Sequence, residues 1–482
     1  MLAWAGVLGL LLLLLWGAWA QLWPGAGPRS SGLQLVCKPS ALATHLETRC
    51  QSLRGFWGAH WAWRALPSLQ SLASLAGPVD GQVHFVRNHL QLQDEGLVAL
   101  DWVVGPCPQP RRRVSGAGST PVLLLVPNSF GKITRNVSKL CRLALLQGYR
   151  PVVFNRRGHN GCPLSTARLQ AYGDAADLRE AIQYIRYRCP GAQLFAVGES
   201  TGAGLLFSYL GECGSSSSVT AAACISPILS PREWMEAGCP WPWQQLLLCY
   251  QKVWLSRFAT VLAEATRPGS ISGSRSLREL EEAVFCQAQS WDSYWERNEP
   301  LRDVDEVATP VLCICSQDDP VCGGTGGAPP RELFETNPYL FLVLAPGGGH
   351  CGFFRDGLCS SFWSHELLLD FFQATVDFLL AEKPSGQARR RGARVAPGPC
   401  PCGPDSCRPQ GRGGPARRPL ARALAAPQQF FSGMLYVLCQ LKLPVEELLT
   451  VATLCSARAA GGSQTQRWER QTELLPPWEG PA

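Results

Sequence analysis

One short segment of the sequence has the residue types and spacing of an activated serine. Residues 198–202 read Gly-Glu-Ser-Thr-Gly, which is a G-x-S-x-G box between the apolar run 193–197 and a small-residue segment. A box of this kind at a sharp strand-to-helix turn exposes the serine hydroxyl. The small neighbours let the strand and the helix approach closely, and the helix N-terminus supplies N–H donors for an oxyanion. We therefore expect Ser200 to act as a nucleophile.

A nucleophilic serine needs a general base, and the base needs an acid that fixes its tautomer. His350 lies in a glycine-rich loop, residues 347–352, that follows a predicted strand. Asp318 and Asp319 follow another predicted strand and precede a proline. We predict that His350 is the base and that Asp319 orients it, because an acid followed by proline is the commoner arrangement at this strand end. Asp318 remains the alternative.

Two N–H donors are also expected to stabilise the oxyanion. One is the N–H of Thr201, at the start of the helix after the nucleophile. The second comes from the loop 127–131, where Ser129 or Asn128 is the candidate. Chemistry of this kind needs neither a metal ion nor an organic cofactor, so no cofactor or metal site is predicted.

The elements that position these residues follow an alternating pattern. Short apolar strands that alternate with helices indicate an α/β fold, with a mostly parallel central sheet covered by helices on both faces. Between residues 229 and 307 the pattern changes to Trp-rich helical segments, which predict a helical cap inserted into the sheet domain. Strands are predicted at 82–87, 97–104, 121–126, 151–155, 193–197, 219–225, 310–316 and 339–345, and helices at 134–147, 174–187, 200–210, 243–255, 277–285 and 365–382.

Changes in composition divide the chain into four parts. Residues 1–20 are an apolar anchor or signal, 21–80 an extension expected to wrap the outside of the core, and 81–383 the catalytic domain with its cap. Residues 384–482 form a tail, which is rich in Pro, Gly, Arg and Cys over its first part and typical there of disorder.

The N-terminal run favours attachment to a membrane. Residues 2–20 are uninterrupted by charge and just long enough to span a bilayer. We predict a single retained anchor in an endomembrane. The alternative is a cleaved signal and a secreted product, since residues 18–20 resemble a cleavage site of the small-x-small type.

Charge and cysteine content narrow the possible functions. The formal net charge is +7, but residues 383–422 alone carry +9, so the rest of the chain is slightly acidic and a nucleic-acid groove is not expected. The 21 cysteines are odd in number and many lie within apolar runs, which favours reduced, buried thiols over a disulfide framework.

Several further motifs accompany these residues: Asn-Arg-Arg-Gly at 155–158, Tyr-Gly-Asp at 172–174, residues 311–314 with Asp-Asp-Pro at 318–320, and Gly-Gly-His-Cys-Gly-Phe at 348–353. Together with the serine box, they resemble the YheT-like group of the α/β-hydrolase superfamily, which includes yeast and bacterial esterases. The resemblance covers roughly residues 50–380 and implies an α/β-hydrolase fold, an N-terminal anchor and activity on lipid esters. The chain order Ser, Asp, His is also that of the superfamily. Asn128 departs from the group, which usually has glycine at this position of the oxyanion loop.

The leading hypothesis is a membrane-associated serine hydrolase of lipid metabolism that cleaves a lipid ester. One alternative is a weak or inactive hydrolase-fold regulator that binds a protein partner. A second is an acyltransferase, since His365 and Asp370 match an H-x4-D pattern. Arg156 and Arg157, after the strand 151–155, are expected either to bind a phosphate or carboxylate or to form structural ion pairs.

Overall fold

The computed structural model describes residues 32–53, 67–76, 83–105, 119–263, 265–267, 269–322, 329–355 and 362–382. The predicted anchor or signal at 2–20 and the predicted tail at 384–482 lie outside the described residues. Among the helices that are described, none is both long and apolar enough to cross a membrane. The described cysteines are all free thiols.

Nine strands form one sheet in the order β1-β9-β8-β7-β6-β4-β5-β3-β2. The six strands from β4 to β9 pair in parallel with one another, whereas β1, β2 and β3 pair antiparallel with their neighbours. The strands are β1 Gln34–Val36, β2 His84–Gln91, β3 Leu97–Val104, β4 Val122–Val126, β5 Arg150–Asn155, β6 Leu194–Glu199, β7 Ala221–Ile225, β8 Val311–Ser316 and β9 Leu340–Ala345.

Helices cover both faces of this sheet, which explains why its central strands are apolar without alternation. In β4, Leu124 packs into one core cluster and Leu123 and Leu125 into another. The first cluster includes helices on one face, α4 Ala176–Arg188, α5 Thr201–Cys213 and α12 Arg331–Thr336. The second includes those on the other face, α1 Ala41–Arg49, α3 Arg135–Leu146 and α13 Trp363–Glu382.

The segment between β7 and β8 forms a helical cap with its own apolar cluster. Tyr294 and Trp295 are fully buried at its centre. Its helices are α6 Pro231–Glu233, α7 Trp241–Ser256, α8 Ala259–Leu262, α9 Ser270–Gly273, α10 Leu277–Phe285 and α11 Trp291–Asn298, with a π-helical turn at Trp234–Gly238. One further helix, α2 Pro67–Ala76, precedes β2.

The fold class expected from the sequence is confirmed, and most element bounds differ by one to three residues. The predicted strand 82–87 differs more, because it extends to Gln91 through pairing with β3. The predicted outer extension, residues 21–80, contains a strand, β1, and two helices, α1 and α2, that the sequence pattern did not indicate. Of these, β1 pairs with β9 and completes the sheet, and α2 reaches the loop that carries His350.

Candidate active site

Ser200 occupies a strained turn between β6 and α5. Its backbone has φ 51° and ψ −115°, a left-handed value that is uncommon for a residue with a side chain. Two glycines make the turn possible. A Cβ on Gly198 would lie 2.6 Å from the Cα of Ala203, and one on Gly202 would lie 2.2 Å from the carbonyl oxygen of Val126. The G-x-S-x-G spacing is therefore required because α5 lies close to both β6 and β4.

The loop that carries His350 is held by three hydrogen bonds to two residues. The Asp318 carboxylate accepts hydrogen bonds from the N–H groups of Gly348 and Gly349, at 3.0 and 2.9 Å. The Ser71 hydroxyl, on α2, accepts a bond of 2.7 Å from the N–H of His350. These contacts fix the imidazole position before any substrate arrives.

Ser200, His350 and Asp319 lie in one hydrogen-bonded row. His350 Nε2 is 2.8 Å from Ser200 Oγ, and His350 Nδ1 is 2.8 Å from Asp319 Oδ2. All three residues lie at the carboxyl ends of parallel strands, where ligands of such sheets bind. Of the two candidate aspartates, the structure brings Asp319 to the imidazole, while Asp318 is engaged by the glycine N–H groups.

Asp319 is placed to remain ionised. Burial alone would raise its pKa, but His350 and the N–H groups of Val321 and Cys322 outweigh that effect and hold the pKa below its ordinary value. An ionised carboxylate at this position favours the His350 tautomer that carries its proton on Nδ1, which leaves Nε2 able to accept the Ser200 proton.

Cys322 lies beside this pair and gives the site a set of three potential metal ligands. The ligand atoms of Asp319, Cys322 and His350 lie within 4.8 Å of one another. Burial raises the pKa of the Cys322 thiol well above its ordinary value, so the thiol is protonated, whereas a metal binds the thiolate. Since His350 Nδ1 is also engaged by Asp319, the geometry fits a proton relay better than a metal centre.

The predicted oxyanion donors come together, but one is already engaged. Thr201 opens α5, where first-turn N–H groups have no acceptor within the helix. The N–H of Ser129 donates a bond of 2.8 Å to the side-chain hydroxyl of Thr201. Asn128 is buried, and its side-chain oxygen accepts a bond of 3.1 Å from the N–H of Phe130, so it shapes the loop. For the hole to form, the Ser129 N–H must exchange the Thr201 hydroxyl for the substrate oxygen.

The row opens into a cleft between the sheet and the cap. The cleft has a volume of about 120 Å³. A separate cavity of about 440 Å³ lies at the opposite, amino-terminal end of β4 and contains none of the predicted site residues. Three tryptophans of the Trp-rich cap line the cleft, namely Trp234, Trp243 and Trp254.

The two adjacent arginines after β5 have different environments. Arg157 forms ion pairs with both Asp94 and Asp177, at 2.8 and 2.7 Å. Arg156 lines the cleft that contains Ser200, and the one hydrogen bond of its guanidinium among the described residues is a long contact of 3.5 Å with the carbonyl of Thr201. Of the two roles expected from the sequence, the structure shows structural ion pairs for Arg157 and none for Arg156 in the described part of the chain.

Glu199, directly before Ser200, is a buried carboxyl to which the sequence assigned no role. Burial raises its pKa to about 7, against the opposing effect of a hydrogen bond from the Asn136 side chain. Ser71 was missed as well, because α2 has no sequence motif. Glu199 was visible as the x of the serine box, but nothing in the sequence indicates its partner Asn136.

His365 and Asp370, the pair that suggested acyl transfer, lie within α13. His365 is buried against Phe362, and its Nε2 has no hydrogen-bond partner in the described part of the chain. Asp370 accepts hydrogen bonds from the N–H and hydroxyl of Ser52. Neither residue is among those lining the cleft.

Comparisons with known proteins agree with this architecture. The Alpha/beta hydrolase family matches residues 114–359. The human protein named Protein ABHD15 is 52% identical over 374 residues, covering 77% of this chain and 80% of its own length. Mouse Phospholipase ABHD3 is 28% identical over 338 residues, which cover 66% of this chain and 78% of that protein. Bovine Monoacylglycerol lipase ABHD2 is 24% identical over 251 residues, which cover 47% and 59% of the two chains.

Proposed function

Because the chain belongs to the alpha/beta hydrolase family, we propose that it is a serine hydrolase that cleaves a carboxylic or phospholipid acyl ester of a lipid. The observation that carries the proposal is the continuous hydrogen-bonded row of Asp319, His350 and Ser200. This row ends at the wall of a cleft lined partly by tryptophans, which suits an acyl chain.

The reaction follows from the position of each group. Ser200 Oγ attacks the acyl carbon while His350 Nε2 takes its proton, and Asp319 stabilises the resulting imidazolium. The N–H groups of Thr201 and Ser129 bind the oxyanion after Ser129 leaves the Thr201 hydroxyl. His350 then returns the proton to the leaving alcohol. Water, deprotonated by His350, releases the carboxylic acid from the acyl-enzyme and restores Ser200.

Relatives named phospholipase and monoacylglycerol lipase support a lipid ester as the substrate class. The ester lies next to Ser200, and the acyl chain extends along the cleft under the cap, which Trp234, Trp243 and Trp254 line. Apolar walls exclude water from the ester and strengthen the electrostatic interactions around it.

The test is labelling of the purified protein with a neutral fluorophosphonate probe, which reacts only with an activated serine. We expect labelling of the wild type and none of Ser200→Ala or His350→Ala. The matched control is Ser215→Ala, which removes an exposed hydroxyl after α5 and should label like the wild type. An unlabelled wild type, or labelling that survives in Ser200→Ala, contradicts the proposal.

One observation favours a second candidate, a hydrolase-fold regulator that binds a protein partner. The N–H of Ser129 is engaged by Thr201, so the oxyanion hole is incomplete in this conformation. The labelling experiment separates the two candidates, since a regulator without turnover leaves Ser200 unlabelled. Acyl transfer through His365 and Asp370 is not supported. Asp370 accepts a hydrogen bond from Ser52, and neither residue lines the cleft.

We also propose that residues 2–20 attach the protein to an endomembrane as a single anchor, since their length and apolar character suit a bilayer. After alkaline extraction of cells, the full chain should stay with the membranes and a version without residues 2–20 should be released. Recovery of a secreted product that begins after residue 20 would support the cleaved signal instead.

A further inference from the structure

Arg156 is a buried cation that lacks the partner a buried cation normally has. Its exposed fraction is 8%, and its Nε has no hydrogen-bond partner in the described part of the chain. Burying a charge costs several kcal/mol unless hydrogen bonds or an opposite charge offset the loss of water. The neighbouring Arg157 has this compensation from two aspartates. Arg156 has only the long contact with the Thr201 carbonyl.

The guanidinium is directed to the reactive part of the cleft. The Thr201 carbonyl that it contacts belongs to the residue next to the nucleophile, and Arg156 and Ser200 line the same cleft. A guanidinium presents planar N–H donors that match the oxygens of a phosphate or carboxylate. The low dielectric of a largely apolar cleft strengthens such a contact.

The other titratable groups of the cleft leave this charge available. Burial, together with the charge of Arg156, lowers the pKa of His159 to about 3, so that imidazole is neutral. The Glu281 carboxyl faces the same cleft and accepts a hydrogen bond from the Tyr294 hydroxyl, not from Arg156. Burial raises the pKa of Glu281 to about 7, which weakens its competition for the guanidinium.

We propose that Arg156 binds an anionic oxygen group of the substrate, a phosphate or a carboxylate, and so selects anionic lipid esters over neutral ones. This proposal rests on the serine hydrolase function above and deepens it by naming the substrate class. The anion lies against Arg156 while the acyl carbon lies at Ser200, which places the ester and the charged group of one molecule in a single cleft.

Protection of Ser200 from the neutral fluorophosphonate probe tests the proposal. The competitors are octyl phosphate, octanoate and 1-octanol, which share one chain and differ in the head. We expect at least one anion to protect the wild type at a concentration about tenfold or more below that of 1-octanol. Comparing octyl phosphate with octanoate tells which oxygen group Arg156 prefers.

Variants connect the effect to the guanidinium. Arg156→Gln should remove the advantage of the anions, Arg156→Lys should retain part of it, and Glu281→Gln should increase it by removing the competing carboxyl. Each protection is compared with the unprotected labelling rate of the same variant. Arg297→Gln, an exposed arginine on α11, is the matched control and should behave like the wild type.

Equal protection by 1-octanol, or an anion advantage that survives in Arg156→Gln, overturns the proposal. If the wild type is not labelled at all, the hydrolase function fails, and the anion site is then tested alone by calorimetric titration with octyl phosphate. Binding that weakens in Arg156→Gln, but is kept in part by Arg156→Lys, would still support the site. Equal binding of octyl phosphate by the wild type, Arg156→Gln and Arg156→Lys would refute the site.

Discussion

The most informative perturbation of the serine turn is Glu199→Gln, which replaces a buried acid by its neutral isostere. Glu199 is 2% exposed, and burial raises its pKa from an ordinary 4.5 to about 7. The folded state therefore holds a proton that the unfolded state releases between these two pH values. Folding stability is lost as the pH rises through this interval and stays reduced above about pH 7.

The size of the effect follows from the pKa difference. One pKa unit corresponds to about 1.4 kcal/mol, so the shift of Glu199 lowers the free energy of unfolding by about 3 kcal/mol at pH 8. A glutamine carries no such penalty and still accepts the bond from Asn136. With an unfolding entropy of about 2.1 cal/mol/K per residue over roughly 300 residues, the variant should melt about 5 °C higher at pH 8.

Thermal unfolding of the wild type and Glu199→Gln, measured from pH 4 to 8.5, checks this prediction. The two should melt together near pH 4 and diverge between about pH 4.5 and 7. Glu335→Gln, an exposed glutamate on α12, controls for the loss of a charge. A difference in melting temperature that does not change with pH would refute the reasoning, and so would a wild type that melts above Glu199→Gln at pH 8.

Three further predictions concern the site and its support. Arg157→Gln should lower the free energy of unfolding by about 3–5 kcal/mol in urea titrations, because it leaves Asp177 buried without its cation; a loss below about 1 kcal/mol would contradict the ion-pair role. Asp319→Asn should slow fluorophosphonate labelling by about 10⁴-fold, because the histidine then takes the wrong tautomer, and a rate within tenfold of wild type would exclude that role. Thr201→Ala should speed labelling about fivefold, since it frees the Ser129 N–H at a cost of one hydrogen bond, and slower labelling would mean that the hydroxyl holds the loop in place.

The sequence predicted the central sheet well because its strands are buried on both faces. Such strands appear as short continuous apolar runs, as in β4 and β8, and need no information from distant residues. The edge strand β1 has only three residues and is defined by its pairing with β9. No local pattern indicates pairing across three hundred residues, so the sequence alone predicts that this segment lies outside the core.

The candidate site shows the same division between local and distant information. Ser200 and His350 are indicated by glycines beside them in the chain, because the turn and the loop both require close backbone approach. The choice between Asp318 and Asp319 depends on which carboxylate faces the His350 imidazole, and both fit the spacing. The different roles of Arg156 and Arg157 are equally hidden, because the acids that pair with Arg157 are distant in sequence.

The pairing of β1 with β9 has a practical consequence for anyone who expresses part of this chain. A truncation that begins at residue 81 would follow the change in composition, yet it would leave the backbone groups of β9 unpaired along one side. The exposed edge of an apolar strand such as β9 is a template for intermolecular pairing, and such a fragment should therefore aggregate. It would also lose Ser71, whose hydroxyl holds the loop of His350. A soluble fragment must therefore begin before Gln34.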